Sequence, residues 1–290
     1  MANSKNNTAL ATLDTFTVAN KYDGLDPELI EELKEQMEDL DDSGILCNVV
    51  KIPSGGGIAY EVQMGGDPNE VQAKTEIVGA VVFTHRMNAY WEQEYGSGSD
   101  DSSQLPACSS MDGKTGVLAE TGELRSCETC PFNQYGTDTK GGRGKACKNM
   151  RRIYIIADKD PTPYLMTVPP TSIKDVNTQL THILAAGVPY TKMILAFKLT
   201  KAKNANNVSY SKVTVERVGT LPDATAAKIA AFRREIKTQY SSMAITLEDY
   251  VTVDDTAKPQ EEAPAPQPQQ PANQSAQDAD FAEAEPLPFK

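Results

Sequence analysis

Four cysteines, Cys108, Cys127, Cys130 and Cys147, fall in a stretch of the chain that has little else to fold with. Between residues 96 and 150 apolar side chains are sparse and Gly, Ser and Asp are frequent. Burial alone cannot offset the conformational entropy lost on ordering such a segment. It needs a cross-link. The spacing C-x18-C-x2-C-x16-C offers one. A C-x2-C turn brings two thiolates to a metal from a single loop, and zinc takes four such ligands at tetrahedral corners. Gly-rich surroundings, Cys108-Ser-Ser-Met-Asp-Gly113 and Gly142-Arg-Gly-Lys-Ala-Cys147, let backbone amides approach the other two sulfurs. The leading expectation is one zinc per chain. With thiolates in all four positions no place is left for a metal-bound water, so the metal would be structural. Two disulfides, an iron–sulfur cluster or a redox pair are the alternatives. Cys47 lies in an expected strand and reads as a small core residue.

On either side of this segment the hydrophobic period is two. Strands are expected at Ile45 to Ile52 and Ile58 to Met64, joined by the turn Pro53-Ser-Gly-Gly-Gly57, and at Ile77 to Phe83. The pattern resumes at Ile153 to Ala157 and Tyr164 to Val168, then at Lys192 to Lys201 and Val208 to Val218. Three helices punctuate the strands. The first has Asp26 as N-cap, Pro27 in its first position and Leu29, Ile30, Leu33, Met37 and Leu40 as its stripe. The second has Ser172 and Asp175 as a capping box and ends at Gly187. The third starts near Asp223 and buries Ile229, Phe232, Ile236 and Tyr240. The order fits an α+β, mainly β fold: an OB-like antiparallel β-barrel carrying an inserted zinc-ribbon subdomain with four cysteine ligands. A general α+β sandwich is the alternative. The expected divisions are a flexible arm (1–20), an acidic helix (21–44), the core domain (45–247, insertion at about 96–150), a Pro/Gln-rich linker (248–277) and an acidic tip (278–290).

Charge is distributed unevenly. Residues 1–44 carry 11 acidic and 3 basic side chains, and residues 245–290 carry 10 and 2. The middle holds 23 basic against 19 acidic residues, although the whole chain is at −12. Electrostatic reach is about 8–10 Å in physiological salt, so the middle sets its own partners. Residues 140–152 hold six cations and no acid: Lys140, Arg143, Lys145, Lys148, Arg151 and Arg152. From Val176 to Val215 acids are again absent, and Lys198, Lys201 and Lys212 stand near Tyr210. Arg86, Tyr90, Trp91, Tyr95 and Tyr135 lie in or beside the insertion. Cations that track phosphates, with aromatic faces for bases, are what a single-strand binder needs. Trp91 reads equally well as an anchor for the insertion, and Phe197 as core.

The linker and acidic tip resemble those of bacterial single-stranded DNA-binding proteins. In that family the acidic end with its terminal Phe docks on replication and repair proteins. Asp278, Asp280, Phe281, Glu283, Glu285, Leu287, Pro288 and Phe289 match in kind, with Lys290 added beyond the Phe. The cysteine segment is similar to the zinc module of T-even phage helix-destabilising proteins, with Cys in place of that family's His. The phrases around Pro106-Ala-Cys108 and Cys127-Glu-Thr-Cys130-Pro-Phe-Asn133 are similar to zinc-ribbon proteins of phages and mobile elements. These resemblances imply a sequence-nonspecific single-stranded DNA-binding protein in phage or mobile-element replication and recombination, with an acidic tail that recruits partner proteins.

No run approaches the roughly 18 apolar residues of a membrane span, and the first ten residues lack a signal peptide's apolar core, so a cytoplasmic address is expected. Phosphate-loop, G-x-S-x-G and H-E-x2-H patterns are absent, and the two histidines, His85 and His182, form no evident catalytic set. An enzyme is not expected. The competing readings are a zinc-ribbon interaction or regulatory protein without DNA binding and, behind it, a metal-dependent nuclease or recombination enzyme.

Overall fold

The computed structural model describes residues 11–39, 46–67, 69–92, 105–138, 143–204, 207–241 and 245. The strands are β1 (Asn48–Lys51) and β2 (Tyr60–Gln63), in which burial alternates, then β3 (Val71–Lys74), β4 (Glu76–Tyr90), β5 (Cys108–Ser110), β6 (Thr115–Leu118), β7 (Leu124–Ser126), β8 (Lys148–Ile156), β9 (Tyr164–Val168), β10 (Met193–Lys203) and β11 (Ser209–Thr220). The helices are α1 (Pro27–Asp39), α2 (Pro170–Ala185) and α3 (Asp223–Gln239). The fold is therefore α+β and mainly β.

One sheet holds all the strands, in the order β3-β2-β1-β9-β8-β4, and at β4 it forks. The first residues of β4 pair with β10, which carries β11, and the last three pair with β5, which leads to β6 and β7. β1 and β9 run parallel, so the sheet is mixed. The barrel expected from sequence does not close: among the described strands β11 pairs with β10 alone, apart from an isolated bridge from Thr220 to Thr12, and β3 with β2 alone. The sheet does curl far enough for Ser211 Oγ to donate to the Gly57 carbonyl at 2.8 Å. Curvature brings the edges near one another, but among the described residues no ladder joins them.

Each face buries its own cluster. On one, Val50, Tyr60, Val62, Ile153, Met166, Leu195 and Phe197 pack beneath Val176, Leu180 and Ile183 of α2. On the other, Val82, Tyr154, Ile156 and Ile194 pack beneath Ala226, Ile229 and Ile236 of α3. Phe16 and Val18 join this second cluster. Residues 11–20 thus depart from the flexible arm expected for 1–20. Leu13 N donates to the Thr220 carbonyl, and Thr17 N donates to Asp158 Oδ1 at 2.7 Å.

Local capping is partly as expected. Asp26 Oδ1 accepts from the amides of Glu28 and Leu29, at 2.8 and 3.2 Å. Helix α2 instead starts at Pro170, two residues before the expected box. Ser172 is buried there, and its Oγ accepts from Val213 N at 3.0 Å, tying the helix to β11. Proline at the first helical position needs no amide partner, which frees the serine for this tertiary bond. Gly187 closes α2 at φ +77°, a conformation that costs glycine little.

Candidate functional site

Past a bulge between Val81 and Phe83, β4 alternates polar and apolar residues, Thr84, Arg86, Asn88 and Tyr90 on one face and His85, Met87 and Ala89 on the other. Its partner β8 sets Arg151 opposite Arg86 and Asn149 opposite Asn88. The apolar face is closed by Met150, Ile245, Trp91 and Met111. The polar face runs into the cysteine module.

That module is held by its backbone and by amide side chains. Cys127 N donates to the Lys114 carbonyl at 2.7 Å, and Cys147 N to the Phe132 carbonyl at 2.8 Å. Asn133 Nδ2 donates to the Cys127 carbonyl at 2.7 Å, and Gln134 Nε2 to the Cys130 carbonyl at 3.1 Å. All four cysteines line one pocket of about 380 Å³, with Tyr90, Phe132, Asn88, Asn133 and Gly116 among its walls. A Cβ placed on Gly116 would lie 2.9 Å from Cys108 Sγ and 3.7 Å from Cys127 Sγ, so this glycine leaves room for two of the sulfurs. None of the cysteines is in a disulfide. Burial pushes the Cys147 thiol up to about 12, with Cys127, Cys130 and Cys108 adding to the effect. Cys108 is raised by burial, then by Cys127 and Cys130, against Arg125. The sulfurs are therefore near neighbours. Even so, among the described residues no three His, Cys, Asp or Glu side chains stand in ready-made metal-holding geometry. Cys47 is buried in the second core cluster, apart from the other four.

An amide network joins the pocket to the strand face. Asn149 Nδ2 donates to Asn88 Oδ1 at 2.7 Å and to Asn133 Oδ1 at 2.9 Å. Lys145 Nζ donates to Asn133 Oδ1 at 3.2 Å and lies 4.8 Å from the centre of the Tyr135 ring. Tyr135 is 81% exposed. Tyr90 stacks on Phe132 with centroids 4.3 Å apart and planes 12° from parallel. Glu92 and Glu120 lie at the pocket. Asn88, Asn133 and Asn149 were not singled out from sequence, although the alternation of Thr84 to Tyr90 was a readable sign of an open polar face.

Other expected residues are dispersed. Arg152 is 2% exposed on the opposite face of β8, near His85, and cannot meet a ligand from solution. Lys148 also lies on that face and pairs with Asp138 at 3.1 Å. Lys198 is neutralised by Glu216 at 2.7 Å and by Glu76 at 3.8 Å, and Lys212 pairs with Asp175. Lys198 stands opposite Glu76, ten residues along β4 from Arg86, or about 33 Å at 3.3 Å per residue. The late-strand group Lys198, Lys201, Tyr210 and Lys212 therefore does not share a surface with the insertion. The Lys201 stem packs instead under Gly56. Trp91 is half-buried against the third cluster. Arg143 is exposed. Tyr95, Lys140 and the expected linker and tip, with Asp278, Asp280, Phe281, Glu283, Glu285, Leu287, Pro288 and Phe289, lie outside the described residues.

What the structure brings together is one face: the cysteine pocket, the Tyr90–Phe132 stack, the asparagine network, Lys145 with Tyr135, and Arg86 beside Arg151. Comparison with protein-family models, with curated proteins and with solved structures finds no match.

Proposed function

We propose that this protein binds single-stranded DNA without sequence preference, over the face that runs from the cysteine pocket to Arg86 and Arg151, and that a structural zinc held by Cys108, Cys127, Cys130 and Cys147 keeps that face in place. The observation that carries the reading is the union, on β4, β8 and the adjoining cysteine module, of exposed or stacked rings (Tyr90 on Phe132, Tyr135) with cations (Arg86, Arg151, Lys145) that lack carboxylate partners among the described residues. Flexible strands are gripped through phosphates and stacked bases, and neither contact reads sequence. The zinc reading rests on four thiols lining one pocket, with Gly116 leaving room for two of them. The acidic tip, residues 278–290, would recruit replication or recombination proteins in the cytoplasm, and the chain would carry no catalytic activity. No helix among the described residues is long and apolar enough to cross a membrane.

Titration of fluorescein-labelled oligo(dT) with the full chain tests the reading. Binding that weakens steeply with salt and is indifferent to base composition is expected. An oligonucleotide that stays free at micromolar protein and low salt would refute it. A second reading, a zinc module that contacts a protein and not DNA, is favoured by Leu105, Leu124 and Val117, which are 61%, 68% and 41% exposed on the module. Cleavage of the oligonucleotide with magnesium would point to the nuclease alternative.

A further inference from the structure

Arg86 and Arg151 are direct cross-strand neighbours. Like charges in that relation destabilise a sheet. Neither is paired with a carboxylate among the described residues. Arg151 is half-buried, and its Nη1 donates to Thr84 Oγ1 at 3.0 Å. Thr84 Oγ1 in turn donates to the Arg152 carbonyl at 2.8 Å, so the hydroxyl fixes the guanidinium in place. The Arg151 Nε is sealed from water and has no partner. Burial and the charge of Arg86 both hold Arg151 below its usual range. Gly113 closes on the Arg86 stem, where any side chain would come within 2.9 Å of Cβ, so the stem is confined too. Arg233 of α3 lies over the Phe83 ring on the other face of β4, donating to Tyr190 Oη at 2.9 Å and to the Val82 carbonyl at 3.3 Å, so it is not part of the pair.

Two pre-positioned guanidinia and a shortage of negative charge define a receptor for a tetrahedral oxyanion. We propose that Arg86 and Arg151 together grip a single phosphate group, and that an anion there removes a repulsion built into the free sheet. The phosphate would be one phosphodiester of the bound strand, which rests on the reading above, although the receptor is a property of the pair alone.

Two measurements on the full chain decide this. The first is melting temperature against inorganic phosphate, with chloride at matched ionic strength. Phosphate should raise the wild-type melting temperature by about 2–4 °C. Arg86→Gln should melt higher than wild type without phosphate and respond no further. A wild type indifferent to phosphate, or an Arg86→Gln chain that still responds fully, overturns the proposal. The second is the salt dependence of oligo(dT) binding. One phosphate contributes about 0.7 to the log–log slope on single strands. Arg86→Gln, Arg151→Gln and the double variant should each lose that same amount, because one phosphate is shared. Additive losses would mean two separate contacts and overturn the shared receptor. Should Arg151→Gln fail to fold, the Arg86→Gln response to phosphate still decides. A chain that ignores oligo(dT), yet is stabilised by phosphate through Arg86, upholds the receptor and refutes strand binding.

Discussion

Gly116→Ala is the sharpest test of whether the four cysteines form one metal centre. The added methyl would sit 2.9 Å from Cys108 Sγ, whereas ordinary contact begins near 3.4 Å. Either the sulfur or the β6 backbone must therefore move by about 0.5 Å, the difference between those two distances. Zinc tolerates about 0.2 Å of departure in its ligand distances, so a displacement of that size cannot be absorbed without loss. The expected loss in zinc affinity is about 10- to 100-fold, as for other changes that disturb ligand placement. That corresponds to about 1.4–2.8 kcal/mol. Competition for zinc against a chromophoric chelator measures it. Gly122→Ala is the control: it carries a positive φ of +70° and has nothing within 4 Å. It should cost backbone strain of about 1–2 kcal/mol and leave zinc affinity unchanged. If Gly116→Ala folds and holds zinc as tightly as wild type, the four thiols do not act as one centre.

Three further outcomes are expected. Tyr60→Phe should raise the melting temperature by about 2–4 °C, because the Tyr60 hydroxyl is buried without a partner and its removal relieves roughly 1 kcal/mol; a lower melting temperature would contradict the packing described. Arg152→Ala should cost about 3 kcal/mol in urea unfolding, since the side chain is 2% exposed, while Arg143→Ala, at an exposed position outside the strands, should stay within about 0.5 kcal/mol; equal costs would contradict the burial of Arg152. Burial holds His85 below the usual imidazole value, outweighing its bonds to the Arg86 and Met111 carbonyls, with the Arg152 and Arg151 charges adding to the depression. The unfolded chain then takes up the proton first, so this contribution is complete above about pH 6.5 and is lost as pH falls below it. Melting between pH 7.5 and 5.5 should show a fall that His85→Gln lacks.

What could be read along the chain was what neighbouring residues determine together. The Asp26 cap, the Gly187 stop, the start of α3 at Asp223 and the period-two runs all report on a few successive residues, and they appear in the structure close to where the pattern placed them. The cysteine cluster was legible for the same reason, because its spacing and the poverty of apolar residues around it are both local. What tertiary structure decided was register and closure. Arg151 and Arg152 are adjacent, identical in kind and equally basic, yet one faces a candidate ligand site and the other is buried beneath the sheet. Which is which depends on parity: a shift of one residue in pairing exchanges the faces of a strand, and the bulge at Val81/Phe83 sets that parity for the far half of β4. Tertiary structure also supplied the carboxylates that engage Lys198 and Lys212, from β4, β11 and α2. The open barrel has the same origin, since closure depends on whether the first and last strands can pair after every intervening twist has accumulated. No short window of sequence contains that sum.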